Sequence, residues 1–244
     1  MGTASVESLA QGAATMPNFP VEPCQFDDVL CVQVIAEMRN SAREAVLPPS
    51  LHPTIPAALS IQAWRVGGSQ WGAFNLVMTR VSCRSGVRAR GFTTGVLVTT
   101  KAACDGLRTT LGLPAAVADI TIRDGYDAVT VAAIRDGRAA LSINAIDPEP
   151  MSPDDVQYTS TIHLAHTPNG LRLVQLEAEH HATRVERLAA TLGTFDAEAW
   201  GERRLDPYRI VSASSAQGHI VIPAIRFVCK PDELAFTGTE SVNA

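Results

Sequence analysis

Lysine is almost missing from this chain of 244 residues: Lys101 and Lys230 are the only two, and the other 18 of its 20 basic residues are arginine. Any chemistry that needs a lysine amine therefore has two candidates. No apolar run approaches the roughly 18–20 residues of a membrane span. The stretch from Met1 to Phe19 lacks the basic start and apolar centre of a signal peptide, so the chain is expected to be soluble and cytoplasmic, with no membrane partner. A net charge of −5 excludes the concentrated cationic face that a nucleic-acid binder needs. The five cysteines, Cys24, Cys31, Cys83, Cys104 and Cys229, are odd in number and contain no C-x-x-C pair; this suits reduced thiols and gives no support for a disulfide or a metal site.

What is present fits one sizeable globular domain, since 46% of the residues are hydrophobic and 18% charged. Residues 1–25 are small and polar, too poor in large apolar groups to offset their ordering entropy, and are expected to form a flexible arm. The domain is expected over residues 26–235, with a tail over 236–244. Asp27–Leu47 predicts a helix, because Val29, Val32, Ile35, Ala36 and Arg39 recur at helical spacing. Strands are then expected at Ile61–Val66, Ala73–Cys83 and Gly91–Thr99, with turns at Gly67-Gly68 and Ser85-Gly86. Lys101–Leu111 predicts a short helix stopped by Gly112 and Pro114.

Two hairpins follow, one around Asp136-Gly137 and one around Asn169-Gly170, dipeptides suited to type I′ turns. Residues 180–192 suit a helix or a strand equally. A last strand pair, Thr194–Trp200 and His219–Val228, brackets the helix-prone Asp206–Ala213. The predicted fold class is α+β: a large antiparallel curled or barrel-like sheet with a few short helices.

Familiar chemical motifs are missing. No G-x-x-x-x-G-K-[ST] or G-x-G-x-x-G phosphate loop occurs, and Trp71 spoils the only approach to a G-x-S-x-G elbow, at Gly67-Gly68-Ser69-Gln70-Trp71. No cofactor is implied. His163 and His166, three apart on a predicted strand, point to opposite faces and cannot easily share a metal. His180 and His181, beside Glu177 and Glu179, read as a solvated strand end. His219 opens an apolar strand, Ile220-Val221-Ile222, where either a satisfied structural histidine or an acid/base is compatible with the pattern.

The stretch Cys104-Asp105-Gly106-Leu107-Arg108-Thr109-Thr110-Leu111-Gly112-Leu113-Pro114-Ala115-Ala116-Val117-Ala118 resembles the signature of the acetoacetate decarboxylase family. Arg108, Gly112, Pro114 and Ala118 stand at that family's spacing. Gly72-Ala73-Phe74-Asn75-Leu76 is similar to its Gly-x-Tyr-x-Glu strand, and Tyr158–Leu176 to its later hairpin. The resemblance, spanning about Trp71 to Val228, implies a homo-oligomer and a pocket that takes a small-molecule apolar carbonyl or carboxylate substrate.

The departures bear on mechanism. The family's paired lysines, the first of which forms a Schiff base, are replaced by Ala115 and Ala116, and its pocket glutamate by Leu76. An alanine cannot be a nucleophile, so the family's decarboxylation mechanism is not available at this site. Lys101 and Lys230 both stand at element ends, which are typically exposed. Alternation along Gly72–Arg80 puts Phe74, Leu76, Met78 and Arg80 on one face. Phe74, Leu76 and Met78, with Leu113, Pro114, Ala115 and Ala116 from the motif, are the candidate substrate-binding residues; an ordinary core face is the plain alternative. Arg80, to hold a carboxylate or stabilise an enolate, and His219, to move a proton, are the candidate catalytic groups. Three functions compete: an imine-free enzyme of lyase, dehydratase, isomerase or cyclase type; a non-catalytic binding protein using the same cavity; and a structural partner whose pocket has collapsed.

Overall fold

The computed structural model describes residues 1–243. A short helix α1 (Val6–Ala10) and strand β1 (Ala14–Thr15) lead to the long strand β2 (Cys24–Glu37) and helix α2 (Asn40–Val46). Strands β3 (His52–Pro53), β4 (Ala58–Ser69), β5 (Phe74–Ser85) and β6 (Arg88–Val98) precede helix α3 (Lys101–Leu111). Then come β7 (Ala115–Val117), β8 (Asp119–Asp124), β9 (Ala128–Arg135) and β10 (Arg138–Pro150). After a 3-10 turn at Pro153–Asp155 follow β11 (Thr161–Thr167), β12 (Gly170–Leu176), β13 (Glu179–Phe195) and β14 (Arg209–Ile222). The chain finishes with β15 (Phe227–Cys229), α4 (Ala235–Gly238) and β16 (Thr239–Ser241).

All the strands belong to one sheet of 16, ordered β16, β15, β12, β11, β6, β5, β4, β2, β14, β13, β10, β9, β8, with β1, β3 and β7 attached beside this path. The α+β reading with few short helices holds. The barrel expectation needs correction in one respect: β16 and β8 end the order without pairing, so the sheet does not close. Nor is it purely antiparallel, because β11 and β7 both run parallel to β6.

Both faces of the central strands are buried, and this accounts for most differences from the sequence reading. One face carries Val32, Val34, Leu59, Ile61, Val77 and Val81 into one apolar cluster; the other carries Cys31, Trp64, Leu76 and Met78 into a second. A strand covered on both sides reads as a continuous apolar run, which matches helical spacing as well as alternation. The helix predicted over Asp27–Leu47 is thus strand β2, with only Asn40–Val46 helical. Asp206–Ala213 likewise enters β14, and residues 180–192 lie within β13, which absorbs the start of the expected Thr194–Trp200 strand. Gly67 and Gly68 sit inside β4, the turn falling just beyond them.

Turn chemistry was legible where both central residues demand positive φ: Asp136 (51°) and Gly137 (77°) close the β9–β10 hairpin. At the β11–β12 hairpin only Gly170 has positive φ, 89°. Helix α3 forms as expected. Thr100 accepts a hydrogen bond from the Ala103 amide at its start, Leu107 and Leu111 face inward, and Gly112 ends it in the left-handed region at φ 69°.

The first 25 residues, expected as a flexible arm, are built into the fold. Ala14 and Met16 are fully buried, β1 pairs with β11, and the Gly2 amide donates to Leu51 O. The tail is tied down too, since β16 pairs with β15. Two buried alanines and a methionine are enough to anchor a segment whose composition alone is weak. No helix among the described residues is long and apolar enough to cross a membrane.

Candidate functional site

Strands β2, β4 and β5 set out the site in rows of cross-strand neighbours on one face. The rows are Cys31, Trp64 and Leu76, then Gln33, Gln62 and Met78, then Ile35, Ser60 and Arg80. Polarity increases along them because the period of two fixes which residues share this face. In the middle row Gln62 Nε2 donates to Gln33 Oε1 at 2.7 Å, and Gln33 Nε2 donates to Gln157 O at 3.2 Å. That second bond reaches a covering segment, residues 151–160, which leads into β11.

Arg80 joins sheet and cover. Its side chain is buried, with 3% exposed. Nη1 donates to Thr159 O at 2.6 Å and to Thr161 Oγ1 at 3.1 Å, and Nη2 to Ser60 Oγ at 3.4 Å. Nε has no partner. Among the described residues the guanidinium is thus met by oxygen dipoles and by no carboxylate, and burial lowers its pKa to about 10. It remains a cation at neutral pH, which leaves a buried charge lacking a counter-ion. Gly91 makes room for it: a Cβ there would stand 3.0 Å from Arg80 Cβ.

Beyond Arg80 the sheet face encloses a small cavity, about 20 Å³, walled by Leu76, Met78, Leu107, Leu113, Leu176 and Ile222. Polar groups on the wall come from Gln62, Arg80, Trp64, His180 and the run Tyr158, Thr159, Ser160 and Thr161; among the described residues no lysine, aspartate or glutamate lines it. Arg80 Nε and the Tyr158 hydroxyl are buried without a hydrogen-bond partner, whereas the Trp64 indole has the Cys31 thiol beside it. Two orphaned donors on residues of one wall mark where an acceptor is wanted. Burial pushes the Tyr158 phenol up. Burial first, then the charge of Arg80 and the neighbouring His181, push the His180 imidazole down to about 4, so it is neutral at pH 7. Desolvation also lifts the Cys31 thiol to about 12, far from a reactive thiolate.

The structure brings Arg80, Leu76, Met78 and Leu113 together at this cavity. Phe74 is buried in the same apolar cluster, edge-on to Phe26 at 6.1 Å, but stands off the wall. Pro114 lines a separate cleft with Thr93 and Thr94. Ala115 and Ala116 lie in β7 against Val96 and Leu97 of β6, outside the wall; Arg108 Nη1 donates to Ala115 O at 3.1 Å and pins this turn. Lys101 pairs with Asp105 and Lys230 with Glu233, each at 2.6 Å and open to solvent. Neither lines the cavity.

The histidines fall differently from the sequence reading. His219 is exposed and stacks on His181 at 4.4 Å, away from the Arg80 cavity. His180, read as part of a solvated strand end, turns inward instead. The alternation of β13 gives it the opposite face to Glu179 and His181, a signal that was present but hidden by its charged or titratable neighbours Glu177, Glu179 and His181. His163 is fully buried, and its Nε2 meets Leu111 O, the last carbonyl of α3, at 2.8 Å. His166 faces out. Among the described residues no three His, Cys, Asp or Glu side chains gather as a metal ion would need. Tyr158 and Gln33 went unnoticed because the segment and the strand that carry them have no motif.

No family model matches the chain, and no curated protein matches it. Solved structures do. An acetoacetate decarboxylase from Legionella pneumophila is 17% identical with a TM-score of 0.75, covering 86% of this chain and 88% of that one. The enduracididine biosynthesis enzyme MppR, complexed with pyruvate, is 17% identical with a TM-score of 0.67 over 83% of this chain and 89% of its own. An acetoacetate decarboxylase-like enzyme from Sphingomonas wittichii is 13% identical with a TM-score of 0.66, covering 85% of this chain and 93% of that one. The chain has the acetoacetate decarboxylase-like fold.

Proposed function

We propose that this protein is an enzyme that binds a small carbonyl acid at Arg80 and promotes a lyase, dehydratase, isomerase or cyclase type of step through an enolate, without an imine. The observation that carries the reading is the buried guanidinium with no counter-ion among the described residues, set beside orphaned donors at the mouth of a small apolar cavity. A carboxylate or developing enolate oxygen supplies the missing acceptor and the missing charge together. When a proton leaves the carbon next to the carbonyl, the C–H electron pair forms the new C=C bond. The carbonyl π pair then moves onto the oxygen facing Arg80. His180 takes that proton as a weak base, and because burial and Arg80 disfavour its cation it passes the proton on readily; the Tyr158 hydroxyl can donate to the same oxygen. The apolar walls exclude water and strengthen each of these contacts. A structural neighbour described as binding pyruvate supports a carbonyl acid of this size.

Deuterium exchange tests the proposal. The protein is incubated with pyruvate in D2O and the methyl signal followed by NMR. Exchange above the buffer rate is expected, falling about a hundredfold or more in Arg80→Met and unchanged in the double variant Lys101→Arg, Lys230→Arg. A borohydride-trapped adduct on either lysine would overturn the imine-free mechanism. A second reading, a binding protein without turnover, is favoured by the absence of any carboxylate or lysine from the wall. Under that reading pyruvate raises the melting temperature but gains no deuterium.

A further inference from the structure

The rows of the site face continue past Arg80. Ser212 of β14 pairs with Ile35, which pairs with Ser60 and so with Arg80; Ser214 pairs with Gln33 in the next row. This stretch lies under the other half of the covering segment and forms a cleft of about 410 Å³, in which a row of hydroxyls and an amide, from Gln33, Ser60, Ser82, Ser212 and Ser214, runs beside an apolar side that includes Ile35 and Met151. Arg80 and Thr159 belong to the walls of both spaces. The inner cavity has room for a water molecule or little more, whereas the outer cleft is already within the range of small-molecule sites.

The chemistry of the outer wall differs from that of the inner. Its polar groups are hydroxyls and amides, which hydrogen-bond a neutral polar chain. Its charges favour no second anion: Arg187 is already paired with Glu149, and Asp155 adds an exposed carboxylate to the wall.

Resting on the reading of Arg80 as the acid anchor, we propose that the natural ligand is bipartite. Its oxo-acid head meets Arg80 at the mouth of the apolar cavity, and an uncharged, hydroxylated chain lies in the outer cleft among Ser60, Ser212 and Ser214. The substrate class is then a polyhydroxylated 2-oxo acid, and the outer cleft sets specificity.

Three acids measured by isothermal titration calorimetry test this: pyruvate, a six-carbon 2-oxo acid with hydroxyls on its last three carbons, and 2-oxoadipate, of the same length but ending in a second carboxylate. The hydroxylated acid is expected to bind about tenfold tighter than pyruvate or better, and 2-oxoadipate no tighter than pyruvate. Ser212→Leu or Ser214→Leu, which fills the cleft from a solvent-reached position, is expected to bring the affinity ratio of the hydroxylated acid to pyruvate close to one. If pyruvate binds and the hydroxylated acid gains nothing over it, the bipartite ligand is refuted while the Arg80 anchor stands. The same holds if both filled variants keep the wild-type ratio. If none of the three acids binds, the anchor itself is wrong and the bipartite ligand falls with it. The comparison of acids on the unaltered protein decides the matter even if a variant fails to fold.

Discussion

Tyr158 and His180 lie face to face, with ring centroids 3.7 Å apart and planes within 4° of parallel. One comes from the covering segment and the other from β13, so the stack fastens the cover to the sheet at the inner cavity, as Arg80 does through Thr159 O. Such a stack holds without the phenol hydroxyl, which has no partner in the free protein. Its value lies with a ligand.

Tyr158→Phe is therefore expected to separate stability from binding. Removing an unsatisfied buried hydroxyl while keeping the ring should raise free-protein stability by up to about 1 kcal/mol, a rise of roughly 2–4 °C in melting temperature for a domain of this size. The same variant should weaken the binding of a carbonyl acid. Scanning calorimetry with and without pyruvate checks both; a less stable variant with unchanged binding would show that the hydroxyl serves the fold and not the ligand.

Buried histidine gives the fold a defined acid sensitivity. Burial pushes His163 down to about 4, the bond to Leu111 O opposing this in part. In the unfolded chain it titrates near the ordinary value of about 6.5. Between those values the unfolded state binds a proton that the folded state refuses, so stability rises with pH across the window and is lost as pH falls from about 6.5 towards 4. The loss is on the order of 3 kcal/mol. His180 acts in the same direction. Urea midpoints from pH 4.5 to 7.5 should show the slope, and His163→Gln should flatten it; an equally steep slope in that variant would place the sensitivity elsewhere.

Gly91 and Arg80 should behave as a coupled pair. A methyl at Gly91 would press on Arg80 Cβ and Cδ, at 3.0 and 3.3 Å. Gly91→Ala is expected to cost about 1–3 kcal/mol by overpacking, and most of that cost should vanish in an Arg80→Gly background, which removes both the Cβ and the Cδ it would press on. A double-mutant cycle on chemical denaturation measures the coupling; additive effects would mean that Gly91 is there for a reason unrelated to Arg80.

How far the sequence led depended on which forces acted locally. Helix α3 and the Asp136-Gly137 turn were legible because their signals, a cap, an αL stop and paired positive φ, lie within a few residues. The site face was legible in part: alternation from Gly72 to Arg80 correctly grouped Leu76, Met78 and Arg80. It could not show that Phe74 stands off the wall, since that depends on Phe26 and Trp71 packing around it from other parts of the chain. Strand β2 was misread because burial on both faces erases period two. His180 was misplaced because charge in its neighbours masked the alternation of β13. Both lysines reach solvent, both are paired with acids, and neither lines the cavity.

Strand β11, which continues directly from the cover, meets β6 only at Thr161 and Ile162. Farther along, at Ala165 and His166, its outer side is closed by β1, with the Met16 amide donating to His166 O. The first sixteen residues thus act as a seal along an otherwise open strand. A chain trimmed at Pro17, a common step when preparing protein, would bare backbone donors and acceptors that a second copy could capture by adding its own strand. Self-association on trimming would then report a lost seal, and the strand so disturbed is the one that carries the cover over Arg80.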